Sequence, residues 1–144
     1  MESQQKESHI LSAQMLNKAE GKMRDTVIWL DDERNPVDAV WSSYISKKVD
    51  AANVLWVKNR KEFQKEFENL FIQGKILAVF FDNDLGSLEK GEEGKDCFSW
   101  MEEYIVTGDI PHTFYCFIQS SNSSAKLSMS LGIQSLYKHW ERKS

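Results

Sequence analysis

The sequence has no apolar run near the ~20 residues that cross a bilayer, and the segment from Met1 to Lys22 is too polar for a secretory signal. Those absences point to a cytoplasmic chain with no membrane partner. Cysteine is scarce. Cys97 and Cys116 are the two, and without metal-ligand spacing they read as small core residues in a reducing compartment, not as a zinc site or a disulfide framework. An excess of positive charge is also lacking. A net charge of −4 argues against a broad nucleic-acid-binding surface, though it leaves room for a local phosphate site. What is present is the material of one core: 144 residues, 41% hydrophobic, with five Trp and eight Phe. That suits a single domain.

Two acidic turns each follow a short apolar run. Val27-Ile-Trp-Leu leads into Asp31-Asp32, and Ile76-Leu-Ala-Val-Phe-Phe leads into Asp82-Asn83-Asp84. Both runs read as buried strands. If the strands are parallel neighbours, their carboxyl ends gather up to four carboxylates at the edge where open α/β sheets hold ligands. Two carboxylates ~4 Å apart repel by roughly 4 kcal/mol at an effective dielectric of ~20, so such a cluster needs a proton, a basic partner or a cation. A hard divalent ion, Mg2+ or Mn2+, meets that need through one or two carboxylates with several waters retained. The alternative is that the aspartates are helix caps and turn residues, where Asp is common.

The rest of the chain alternates. Residues 1–23 form a polar extension, flexible or partly helical, ahead of an α/β domain over 24–144. Val37, Val40, Trp41, Tyr44 and Ile45 recur at helical spacing after Pro36, and Val54-Leu-Trp-Val57 is a second strand. Phe63, Phe67, Leu70 and Phe71 stripe a helix that stops at Gly74. After the third strand come a Gly- and Glu-rich loop over Gly86 to Gly94 and a helix carrying Phe98, Met101 and Ile105. Phe114-Tyr-Cys-Phe-Ile118 is a fourth strand, and a closing helix presents Met129, Ile133, Leu136, Tyr137 and Trp140. Apolar strands alternating with amphipathic helices predict a flavodoxin-like, doubly wound parallel sheet of about four strands in the order 2-1-3-4, with helices on both faces. The order makes strands one and three neighbours across the switch point.

Ser120, Ser121 and Asn122 fall between the fourth strand and the last helix, where hydroxyls and free backbone N–H groups can meet an anion or merely cap the helix. Arg34 can fork onto a phosphate or onto a neighbouring acid. His112, at the other end of the sheet, reads as structural. His139, among Lys138, Arg142 and Lys143, reads as part of a solvated helix end.

Leu30-Asp31-Asp32-Glu33-Arg34-Asn35-Pro36, Phe81-Asp82-Asn83-Asp84-Leu85-Gly86 and Gln119-Ser120-Ser121-Asn122, in that order on those elements, resemble the cyclic-phosphate processing receiver-like family, a divergent branch of response-regulator receiver domains. The resemblance spans roughly residues 26–135. It implies a metal-dependent acidic pocket acting on cyclic phosphates or on phosphorylated nucleotide or RNA ends. By the same resemblance Asp82 is the principal metal ligand or a nucleophile, with Asp31 and Asp32 as further ligands. Asp84, Arg34 and Ser120 would then serve catalysis, and Arg34, Ser120, Ser121 and Asn122 would hold substrate. The family usually carries His where this chain has Asn83 and Gln119, and neither substitute shuttles protons near neutral pH. Receivers also carry a lysine after a fifth strand, for which Lys95 and Lys126 are the candidates here. The leading expectation is a metal-dependent phosphoesterase-like domain. A binding module that sequesters a phosphorylated ligand or docks on a protein partner is the alternative, and a phosphoacceptor signalling receiver comes third.

Overall fold

The computed structural model describes residues 24–38, 53–87 and 89–143. Its strands are β1 (Thr26–Leu30), β2 (Asn53–Val57), β3 (Ile76–Phe81) and β4 (Tyr115–Ile118). The helices are α1 (Arg60–Ile72), α2 (Gly94–Thr107) and α3 (Ser123–Lys143). The four strands form one parallel sheet in the order β2-β1-β3-β4, the flavodoxin-like arrangement that the alternation predicts. Burial follows this order. β1 and β3 lie in the middle and are buried along their whole length, whereas β2 and β4 at the edges are partly exposed.

Apolar side chains point both ways from the central strands, the pattern of a sheet built to be covered on both faces. The described helices lie on one face, and the helix expected on the other falls outside the described residues. In β3, Phe81 points toward the described helices, between Phe63 of α1 at 5.5 Å and Phe98 of α2 at 5.3 Å between ring centroids. Its neighbour Phe80 points the opposite way, between Trp29 at 5.4 Å and a stacked Phe117 at 4.7 Å. Those three rings stand in register across β1, β3 and β4. An aromatic wedge on each side fixes the end of β3, and the next residue is Asp82.

The helices follow from local signals. Asn59 caps α1 by accepting the Glu62 N–H at 2.9 Å. The helix ends where Gly74 N–H bonds to the Phe71 carbonyl and Lys75 N–H to the Leu70 carbonyl, both at 3.0 Å, the paired bonds of a Schellman close. A reciprocal box of Glu93 and Asp96 opens α2. The inner faces are those that periodicity selects: Phe63, Phe67, Leu70 and Phe71; Phe98, Met101 and Ile105; Met129, Ile133, Leu136, Tyr137 and Trp140.

One helix-face expectation fails among the described residues. Val37 does not face a core; it is 80% exposed. Pro36–Asp38 is a short 3-10 turn. Asn35 closes it, accepting Val37 N–H on its side chain at 3.0 Å and Asp38 N–H on its carbonyl at 3.1 Å, and this points Val37 outward. Val40, Trp41, Tyr44 and Ile45, like the extension over 1–23, lie outside the described residues. The fourth strand starts at Tyr115, one residue later than expected. Cys97 and Cys116 are buried and free, and burial pushes the Cys97 thiol up to about 12. His112 is structural: it is buried, and its Nε2 accepts the N–H of Ile76, the first residue of β3, at 3.0 Å. No helix among the described residues is long and apolar enough to cross a membrane.

Candidate functional site

Three residues that follow strand ends are held by the sheet itself. Asp31 N–H bonds to the Val57 carbonyl at 3.1 Å, Asp82 N–H to the Leu30 carbonyl at 2.9 Å, and Gln119 N–H to the Phe81 carbonyl at 2.9 Å. Each is one ladder step past the last strand residue, so Asp31, Asp82 and Gln119 stand side by side on the carboxyl edge. Asp31, Asp32 and Asp82 each offer a carboxylate oxygen there, all within 4.8 Å of one another. Asp31 and Asp82 are buried and Asp32 is half-buried.

The loop after β1 is built around Asp31. Its Oδ1 accepts the N–H groups of Glu33 at 3.0 Å and Arg34 at 2.9 Å, an Asx turn that folds the chain back over the sheet edge. Two indoles fix the same loop: Trp56 Nε1 donates to the Asp31 carbonyl at 2.6 Å, and Trp29 Nε1 to the Arg34 carbonyl at 2.9 Å. The fold-back sets the Arg34 guanidinium over the carboxylates. Its Nε lies 3.2 Å from Asp31 Oδ2, and its Nη2 lies 3.3 Å from Asp82 Oδ1 and donates to the Gln119 carbonyl at 2.9 Å. Gln119 Nε2 also donates to Asp31 Oδ2 at 3.3 Å.

One guanidinium faces three carboxylates, so the cluster keeps a negative excess. Its electrostatic signature falls on Asp82, pushed up to about 6 by burial first and then by the Asp31 carboxylate. Arg34 and the Asn83 backbone N–H oppose the rise, and Asp84 adds to it. The surrounding cavity, about 260 Å3, is lined by Asp31, Asp32, Glu33, Arg34, Asp82, Asp84, Gly86 and Ser121, five acids against one base. With Asp31 Oδ1 taken by two backbone N–H groups, Asp32, Asp82 and the other Asp31 oxygen make an all-oxygen donor set. That set fits a hard divalent cation.

The remaining residues expected at the site are distributed unevenly. Asp84 is exposed on the cavity wall, and Ser121 lines the same space. Ser120 is buried, and its hydroxyl accepts the Asn122 N–H at 3.1 Å. Asn122 caps α3, accepting the Ala125 N–H at 3.0 Å. Neither Ser120 nor Asn122 lines the acidic cavity. Lys95 Nζ lies 3.6 Å from Glu93, and neither Lys95 nor Lys126 lines the cavity. A larger cavity of about 480 Å3, between α2 and α3, includes Glu102, Glu103, His139 and Arg142 and none of the acidic-turn residues. Two acids there face one permanent cation across two helices, a smaller imbalance than that of the acidic cavity. His139, half-buried on that wall, is lowered by burial and then by Lys143 and Arg142.

Sequence reasoning missed several packing roles at the site. Gly94, the first residue of α2, is buried where an added Cβ would fall 1.8 Å from the Asp82 carbonyl oxygen. Gly86, with φ of 71°, leaves room for Asp32, whose Oδ2 would lie 2.8 Å from a Cβ there. Asn83, 1% exposed, accepts the Lys95 N–H on its side chain and the Gly94 N–H on its carbonyl, at 3.0 and 2.8 Å. Nothing in composition marks these packing roles, although a glycine opening a helix beside an acidic strand end is a usable signal.

Compared with known proteins, residues 26–135 match the family model of the cyclic-phosphate processing receiver domain. No curated protein and no solved structure matches the chain.

Proposed function

Given that the chain belongs to the cyclic-phosphate processing receiver domain family, we propose that its acidic edge is a divalent-cation-dependent phosphoesterase site for cyclic phosphates or phosphorylated nucleotide or RNA ends. The observation that carries this reading is the convergence of Asp31, Asp32 and Asp82 within 4.8 Å at the switch point of the sheet. A cavity with five acids and one base repels a phosphate unless a cation joins it.

Mg2+ or Mn2+, when bound, supplies charge neutralisation and Lewis acidity toward the phosphate. Asp32, Asp82 and Asp31 Oδ2 would hold it, while Asp31 Oδ1 orients the loop through its Asx turn. Arg34 and Ser121 fix nonbridging phosphate oxygens, since a guanidinium presents paired donors to such a group. A carboxylate oxygen of Asp84, exposed on the wall, takes the proton of the water whose oxygen bonds to phosphorus as the ring P–O bond breaks, and the leaving oxygen, which stays on the ligand as a hydroxyl, takes its proton from solvent.

A second reading rests on a specific observation. No histidine lines the cavity among the described residues, and Asn83 and Gln119 are engaged in hydrogen bonds. That favours a binding module that retains a phosphorylated ligand unchanged. The deciding experiment incubates the protein with 2′,3′-cyclic nucleotides, cyclic dinucleotides and phosphorylated RNA ends, with and without Mg2+ or Mn2+. Product that accumulates with time, needs the cation and vanishes in Asp82→Ala supports the esterase. Calorimetric binding without product supports the module, and neither outcome with any ligand leaves the acidic turns as structural caps.

A further inference from the structure

Arg34 is anchored at its backbone and exposed along its side chain. Its N–H is held by Asp31 Oδ1, and its carbonyl by the Trp29 indole. The side chain is 56% exposed, yet the guanidinium turns inward onto Asp31 Oδ2, Asp82 Oδ1 and the Gln119 carbonyl. Two of those partners are carboxylates of the donor set described above. The head group therefore stands where an incoming cation would need charge, and a second cation beside a guanidinium in this half-buried cluster is repelled.

We infer that Arg34 is a built-in counterion that a divalent cation displaces from Asp31 and Asp82, and that the displaced guanidinium then receives the ligand's phosphate. This rests on the proposed cation site. Three features favour displacement over coexistence. The contacts to Asp31 and Asp82, at 3.2 and 3.3 Å, are longer than a tight charge-assisted bond of ~2.7–2.9 Å. The exposed stem gives the head a solvent-side path that moves no core residue. The anchored backbone keeps the head within reach of the cavity after release. Cation and phosphate then bind with positive coupling, because each removes a cost the other meets: the cation frees the guanidinium, and the phosphate holds it away from the carboxylates.

Calorimetric titration of Mn2+ into the wild-type protein and Arg34→Gln, each with and without excess inorganic phosphate, tests the coupling. Gln removes the charge and leaves both backbone anchors intact, and circular dichroism checks that the fold persists. The expected result is that Arg34→Gln binds Mn2+ alone about tenfold more tightly than wild type and gains more in melting temperature from it. Phosphate should tighten Mn2+ binding to wild type several-fold and leave Arg34→Gln unchanged. Mn2+ affinity that is equal or weaker in Arg34→Gln, with binding to wild type intact, overturns the counterion role and leaves the cation site standing. Absence of Mn2+ binding in both proteins overturns the cation site and the inference together.

Discussion

At the scale of single residues, Asp82 concentrates the tension of the site. A carboxyl pushed up to about 6 is one whose ionised form the folded environment disfavours, through burial first and the Asp31 charge second. Near pH 8 it is ionised all the same, and the metal-free fold carries that cost. Asp82→Asn keeps the shape and removes the charge, while Arg34 retains Asp31 and the Gln119 carbonyl. The variant should melt a few degrees above wild type in metal-free buffer at pH 8 and should lose any stabilisation by Mn2+. A lower metal-free melting temperature would mean that the Arg34 contact outweighs the burial and repulsion. Reading the aspartates as a cluster was possible from sequence because each follows an apolar run. The engagement of Arg34 by two acids was not, since an arginine three residues after an aspartate fits a phosphate fork equally well.

At the scale of elements, the site depends on how closely α2 begins beside β3. Gly94 N–H reaches the Asn83 carbonyl, and the space for a Cβ is already filled by the Asp82 carbonyl. Gly94→Ala forces backbone to move, so it should cost about 2 kcal/mol or more in urea unfolding. Because the backbone that yields belongs to Asp82, the variant should also weaken Mn2+ binding; a stability loss with unchanged Mn2+ affinity would separate α2 from the site. The opposite edge of the sheet shows a second element-scale device. Cys116 N–H, in edge strand β4, donates to the Tyr137 hydroxyl of α3 at 3.0 Å. A side chain from the last helix thus meets an edge group that a further strand would otherwise pair. Tyr137→Phe strands that buried N–H and should lower stability by about 1–3 kcal/mol, measured by urea unfolding. No loss would show that water or a backbone shift serves Cys116 as well.

At the scale of the whole molecule, Asp82 links folding, pH and cation. Its folded value of about 6 lies above the ordinary 3.8. The group therefore contributes stability that is full below about pH 4 and is lost as pH rises to about 6. A bound cation favours the ionised carboxylate and reverses that loss. The rise in melting temperature given by Mn2+ should accordingly be small at pH 5 and complete by pH 7.5, and a pH-independent rise would remove Asp82 from the binding set. The sequence by itself determined the parallel four-stranded sheet, its order and the inner faces of three helices, because periodicity and β-run length depend on local chemistry that any fold must satisfy. It determined also that Asp31 and Asp82 follow strand ends. Only the tertiary structure decided which groups those carboxylates meet. Arg34 over the cluster, Trp56 on the Asp31 carbonyl, Gly94 against Asp82, Asn122 as the cap of α3 and Val37 turned to solvent are set by contacts between segments or by turn geometry. Hydropathy carries no record of them: the first three depend on where another part of the chain comes to rest, and the cap and the turn on local side-chain hydrogen bonds that apolar periodicity does not register.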